Sequence, residues 1–192
     1  MKEIILALIT YGVMGELIRL LKTIYNDRIS KSQHAKRRRH NGQKIKRILR
    51  EVLLNTSADR VLVIKLSNGG DIFNEGSALK IQILEEDNTN SVFEVKQLYR
   101  DTPVRSDYVD MVFDLCEQKQ LSFTTKDCPA QMVRDSWSVE NIKNGCLQLI
   151  TYSKEKVIFL SASTTSEELL FDKIEYVHAF KDAAIDLKRL YR

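Results

Sequence analysis

Seven residues, Arg60-Val61-Leu62-Val63-Ile64-Lys65-Leu66, place the tightest limit on what this chain can fold into. β-Branched side chains have little χ1 freedom in a helix and pack well on a pleated surface. The run has strand length and ends in Ser67-Asn68-Gly69-Gly70, a turn cluster. Immediately upstream, Ile45, Ile48, Leu49, Val52 and Leu53 recur at i, i+3, i+4, i+7 and i+8. That spacing is one face of an amphipathic helix, and it stops near Asn55-Thr56-Ser57-Ala58-Asp59. The chain therefore enters its domain through a helix that hands over directly to a strand.

The pattern continues in kind. Ala78–Leu84 alternates and is expected as a second strand, and Val92–Tyr99 as a third. Val109, Met111, Val112, Phe113 and Leu115 predict a helix over Asp107–Gln118. Cys146–Tyr152 and Lys156–Ser161 predict a hairpin turning at Ser153-Lys154-Glu155. Last, Ile174, Val177, Phe180, Ala184, Leu187 and Tyr191 share a helical face, with Ser166-Glu167-Glu168 as its expected cap and first turn. Helix, three strands, helix, two strands, helix is an α+β order: an antiparallel sheet with its terminal helices packed to one side. Two terminal amphipathic helices on one face also form a natural homo-oligomer surface.

Charge divides the chain. Residues 1–50 hold 13 Lys and Arg against 3 Asp and Glu, whereas residues 51–192 hold 17 against 23. The division is read as 1–42, an apolar N-terminal helix plus a basic segment, and 43–192, the domain. Ile4–Leu21 is nearly all apolar, interrupted by Glu16 and Arg19. Eighteen helical residues rise about 27 Å, slightly short of a hydrocarbon core of about 30 Å. The basic flank follows the positive-inside rule, with the N-terminus outside and the domain in the cytoplasm. The competing reading packs this helix inside an oligomer, where Glu16 and Arg19 are better tolerated than in lipid.

Lys36, Arg37, Arg38 and Arg39, extended by Lys44, Lys46 and Arg47, form a candidate polyanion-binding stretch. Next to a membrane, each cation near anionic lipid contributes about 1 kcal/mol. Bound to nucleic acid through residues 31–50, the same charges give salt-dependent affinity. No aromatic residue lies between 26 and 72, so no base-stacking platform accompanies them. That absence tilts the reading toward an anionic membrane surface. Lys44, Lys46 and Arg47 also fall on the polar face of the entry helix.

Motifs for chemistry are lacking. Cys116, Cys128 and Cys146 are widely spaced and form no CxxC or Cys/His cluster, so neither a zinc site nor a disulfide framework is read. No dinucleotide, P-loop or nucleophile-elbow spacing occurs. Glu85-Glu86-Asp87 is expected as a solvated acidic turn. We expect no cofactor, no metal and no catalytic set. Asn68, Gly69, Gly70 and Asp71 are candidate ligand contacts, because glycine lets a backbone approach closely; the plain alternative is a strand-ending turn.

The element order resembles that of GAF domains, in which an entry helix leads to the first strand and a closing hairpin leads to an exit helix. Ala58-Asp59-Arg60-Val61 followed by Leu66-Ser67-Asn68-Gly69-Gly70 is similar to an "ADRV…HNGG" pattern in a bacterial and phage-encoded group of GAF-like proteins. Ser67 stands where that group has His. The topological likeness spans 43–192 and the motif 58–76. The resemblance implies a ligand-binding, dimerising or protein-interaction module, and it does not imply catalysis. It implies a pocket that Trp137, with Tyr99, Phe113 and Phe123, can line; the plain alternative for these aromatic residues is packing in the core. The long and irregular segment Phe123–Asn144, which contains Pro129, would form its roof. A GAF-like module at the cytoplasmic membrane face is the leading expectation. The alternative is a soluble oligomeric protein, such as a phage structural component, whose basic run holds nucleic acid.

Overall fold

The computed structural model describes residues 40–72, 78–170 and 173–191, together with 19, 22 and 23. The expected apolar helix, Arg19 apart, and the cations Lys36, Arg37, Arg38 and Arg39 lie outside the described residues. Among those described, no helix is long and apolar enough to cross a membrane. The larger folded unit spans Gln43–Arg192.

Its entry helix, α1 (residues 40–55), buries Ile45, Ile48, Leu49, Val52 and Leu53, as their spacing requires. Lys44, Lys46, Arg47 and Arg50 stay exposed on the opposite face. Arg47 faces Glu51 at 3.6 Å, and Arg50 reaches Asp87 on the sheet at 3.6 Å. The sheet has six strands in the order β3-β2-β1-β6-β5-β4, with every neighbouring pair antiparallel. They are β1 (Arg60–Ser67), β2 (Lys80–Asn88), β3 (Thr102–Pro103), β4 (Gln120–Thr124), β5 (Asn144–Tyr152) and β6 (Lys156–Thr164).

Strand alternation serves two cores. On one face, Val61 and Val63 of β1 pack with α1 and with Phe180, Ala183, Ala184 and Leu187 of α4 (Ile174–Leu190). On the other, Leu62, Ile64 and Leu66 pack with Tyr108, Met111, Val112 and Leu115 of α2 (Ser106–Gln118). Central β1 is thus buried on both sides, which is why it reads as a continuous apolar run. The terminal helices share one face of the sheet, as expected of an α+β order.

Four local expectations need correction. Val92–Tyr99 is not a strand but a loop. Its amides are claimed by a side chain instead of a neighbouring strand: Val95 N–H donates to both carboxylate oxygens of Glu86, at 3.0 and 2.9 Å, and Lys96 N–H donates to Oε2 at 2.6 Å. Glu85-Glu86-Asp87 is not a solvated turn. It belongs to β2, and Glu86 is only 9% exposed.

A β-bulge produces that burial. Val63 pairs with Glu85 and Ile64 with Ile83, so Leu84 has no partner on β1. The extra residue inverts the alternation, and Glu86 comes to lie opposite Leu62, on the α2 face of the sheet.

Ser166-Glu167-Glu168 does not begin the last helix, whose N-cap is Lys173. Asn144 holds that segment as a loop. Its Nδ2 donates to the carbonyls of Ser166 and Glu168, and its Oδ1 accepts from Leu170 N–H. Finally, 123–144 is not irregular throughout. It contains the end of β4 and the helix α3 (Gln131–Val139).

Candidate functional site

The α2 face of the sheet is incompletely filled. A cavity of about 70 Å³ lies between the strands and α3. Its floor is aliphatic, from Leu62 and Ile64 of β1, Ile81 and Ile83 of β2 and Leu147 of β5. Each of these points to the same face because each occupies the same phase of its strand's alternation. Met132, Val133, Ser136 and Trp137 come down from α3 as its roof. Tyr99 and Tyr108 close one side, and Phe123 lies beside Trp137 with ring centroids 5.7 Å apart and planes tilted by 33°. Of the aromatic residues expected at a pocket, Tyr99, Phe123 and Trp137 line the cavity; Phe113 does not.

One residue without a side chain sets the height of the roof. A Cβ on Gly145 of β5 would stand 2.7 Å from Trp137 Cζ2, closer still to Cη2, and 2.7 Å from the Ala162 carbonyl oxygen. The indole therefore seats directly on the backbone of β5. Sequence reading passed over Gly145, since an isolated glycine in a strand gives no hint of what covers it.

Arg60 supplies the cavity's charge. It is 2% exposed. Its NH1 approaches Glu140 Oε2 at 2.7 Å and Oε1 at 3.0 Å, and donates to the Phe93 carbonyl at 3.3 Å. Glu140 is the C-cap of α3, and Phe93 belongs to the loop after β2. One guanidinium thus ties the roof helix and a side loop to the first residue of β1. The Nε of Arg60 is buried and has no hydrogen-bond partner. Burial pushes the Glu86 carboxyl above its ordinary value, against the opposing pull of the Val95 and Lys96 amides and the Arg60 charge.

The neighbouring Asp59 has a structural task. It accepts from Thr165 N–H at 2.7 Å, Thr165 Oγ1 at 2.8 Å, Thr89 Oγ1 at 3.0 Å and Thr164 Oγ1 at 3.3 Å. The start of β1, the end of β2 and the end of β6 are joined there. Burial raises the Asp59 carboxyl, but these four bonds outweigh it and hold it below the ordinary range. Within the Ala58-Asp59-Arg60-Val61 group, then, Asp59 knots the strands and Arg60 faces the cavity.

Asn68-Gly69-Gly70-Asp71 is placed elsewhere and does not line the cavity. Asn68 Nδ2 donates to the Asp71 carbonyl at 2.9 Å, and Gly70 N–H donates back to Asn68 Oδ1 at 2.7 Å. Gly69 has φ of 82°, a left-handed conformation that glycine adopts freely. The turn closes on itself. Cys128 and Cys146 are buried, and burial raises the Cys128 thiol to about 11 and Cys146 well above its usual value. Cys116 is raised for the same reason. None is a ready thiolate.

No family model matches the sequence, and no curated protein matches it. Solved structures do match in fold. A GAF domain/HD domain protein from Geobacter sulfurreducens superposes with TM-score 0.55 at 10% identity, over 78% of this chain and 91% of that one. The GAF domain region of another protein, from Geobacter sulfurreducens PCA, gives 0.56 at 10% identity, over 83% and 97%. The blue-light absorbing form of the PixJ GAF domain from Thermosynechococcus elongatus gives 0.52 at 14% identity, over 81% and 89%. The chain has a GAF-like fold.

Proposed function

We propose that this protein is a non-enzymatic GAF-like module that binds a small molecule or a protein partner, held at the cytoplasmic face of a membrane by its N-terminal segment. The observation that carries the reading is the cavity under α3, walled by aliphatic and aromatic side chains with one buried cation at its edge. Ligand sites are commonly of this kind: concave, mostly apolar and given direction by a few polar groups. A bound small molecule is consistent with a GAF-like fold, since one similar domain is named for a light-absorbing form. Tethering rests on the apolar Ile4–Leu21 and the cations that follow it. Self-association through α1 and α4 is part of the proposal. Leu54, Ile174 and Ile185 on those helices are exposed, and apolar surface of this kind favours a partner.

Two measurements test it. A thermal-shift screen against small metabolites is expected to find compounds that raise the melting temperature, with the effect lost on Trp137→Ala. A turnover in the same screen that also depends on Trp137 would replace the module with an enzyme. Membrane fractionation of the full chain, beside a version starting at Gln43, is expected to leave only the full chain in the pellet after alkaline carbonate washing. Release of both, together with DNA binding that weakens steeply with salt, would favour the soluble nucleic-acid-binding alternative. The exposed Lys44, Lys46 and Arg47 are the described residues that would contribute to it.

A further inference from the structure

We propose that the cavity beneath α3 takes a small, uncharged, largely apolar ligand bearing one hydrogen-bond acceptor, and that the Nε–H of Arg60 is the donor that reads it. This rests on the ligand-binding reading above. The unmet donor is the starting point. A buried N–H without a partner costs about 1–3 kcal/mol, and Arg60 both lines the cavity and buries an Nε with no acceptor. A ligand oxygen placed there removes that cost.

Charge then selects among ligands with an oxygen. The positive charge of Arg60 is already matched, because both oxygens of Glu140 sit on NH1. Glu86 adds a second carboxyl to the same face of the sheet, opposite Leu62. A ligand carboxylate or phosphate would bring negative charge to a guanidinium that has none of its own left to give. A buried ion without a counterion is among the costliest groups to accommodate. A ligand cation fares no better, since Arg60 is the charged group lining the cavity. An uncharged acceptor alone gains the Nε–H without adding charge.

Shape and surface limit the remainder. The cavity is half-open, so a ligand somewhat larger than its 70 Å³ can be seated with one end at the mouth. The side chains around it are Ile, Leu, Met and aromatic residues, with the hydroxyls of Ser136 and Ser161 as further polar points. A single ring or short branched chain carrying a carbonyl or amide fits this description.

Three probes of one ring size test the proposal on the full chain: benzamide, benzoate and benzene. Trp137 is the sole tryptophan, so its emission reports on the cavity directly. Benzamide is expected to change that emission saturably and to move the Arg60 Nε–H resonance in the NMR spectrum. Benzoate is expected to bind at least ten-fold more weakly. Benzene is expected to bind more weakly than benzamide and to leave the Nε–H resonance in place. Arg60→Lys, which retains the charge and loses the Nε–H, is expected to weaken benzamide about ten-fold and benzene little. The resonance of the unaltered protein gives the same answer should that variant fail to fold. Benzoate or benzene binding as tightly as benzamide would overturn the proposal while leaving the cavity a ligand site. No saturable response to any of the three would overturn both.

Discussion

The Trp137 indole lies on Gly145 so closely that a methyl group there would meet Trp137 Cζ2 and the Ala162 carbonyl oxygen at 2.7 Å each. The carbonyl belongs to the adjacent strand and cannot yield without breaking the β5–β6 ladder. Gly145→Ala must therefore displace α3. We expect a destabilisation of about 1–3 kcal/mol, the usual range for overpacking a filled site, with a red shift in tryptophan emission. Denaturant titration followed by fluorescence measures both. Unchanged stability and emission would mean that the roof rests elsewhere.

Arg60 and Glu140 form a buried ion pair, with both side chains under 10% exposed. Removing one member strands the other. Glu140→Met alone is expected to cost about 3–5 kcal/mol, whereas changing both Arg60 and Glu140 to methionine should cost much less. Equilibrium unfolding of the single and double variants gives the coupling energy. Additive losses would show that the pair is not a unit.

Asp59 gives the fold a definite acid dependence. Its carboxyl is held below the ordinary value of 3.8 in the folded state. A depressed folded value contributes stability that is present above the unfolded pKa and lost as pH falls through the folded one. Asp59→Asn should therefore cost about 1–3 kcal/mol at neutral pH, through lost charged hydrogen bonds. The gap between variant and parent should close progressively below about pH 4. A gap independent of pH between 7 and 3 would mean that the carboxylate charge is not what Thr89, Thr164 and Thr165 recognise.

The cationic run makes a graded prediction. Replacing Lys36, Arg37, Arg38 and Arg39 together by glutamine should weaken binding to vesicles rich in phosphatidylserine by up to about 4 kcal/mol, at about 1 kcal/mol per cation near the surface. Binding to neutral vesicles should hardly change. Vesicle sedimentation at two salt concentrations distinguishes the electrostatic share from any apolar one.

Local periodicity revealed much of the fold. The face of α1 and the alternation of β2 before its bulge rest on neighbours in sequence, and both were legible there. The α2 helix and the β5–β6 hairpin were legible for the same reason. The cavity was less so, because its parts meet only in three dimensions. Arg60 and Glu140 are separated by 80 positions, and nothing near either announces the other. Trp137 could be suspected from its size and from a resemblance, but its seat on Gly145 could not. Val92–Tyr99 misled because its valines and aromatic residues have strand composition, whereas burial falls on Val92 and Val95, three positions apart and not alternate. Their burial packs a loop whose amides a distant carboxylate satisfies. The Asn68–Asp71 turn, put forward for its glycines, does not line the cavity, and Gly69 takes the left-handed conformation that a turn needs.

Leu84, the residue without a partner on β1, carries a consequence for how this chain tolerates changes in length. Shortening β2 by that one position would remove the bulge and keep the register, with Ile83 opposite Ile64, Glu85 opposite Val63 and Glu86 opposite Leu62. Glu86 would keep the Val95 and Lys96 amides, and the loss would be confined to the Leu84 side chain, which packs against the core shared by α1 and α4. Deletions in the Ser153–Glu155 turn, by contrast, put at risk the Lys154 carbonyl that accepts from the buried Ile72 N–H at 2.7 Å. Length variants of this domain should therefore be admissible at position 84 and constrained at the hairpin tip, where a carbonyl serves a segment outside the hairpin.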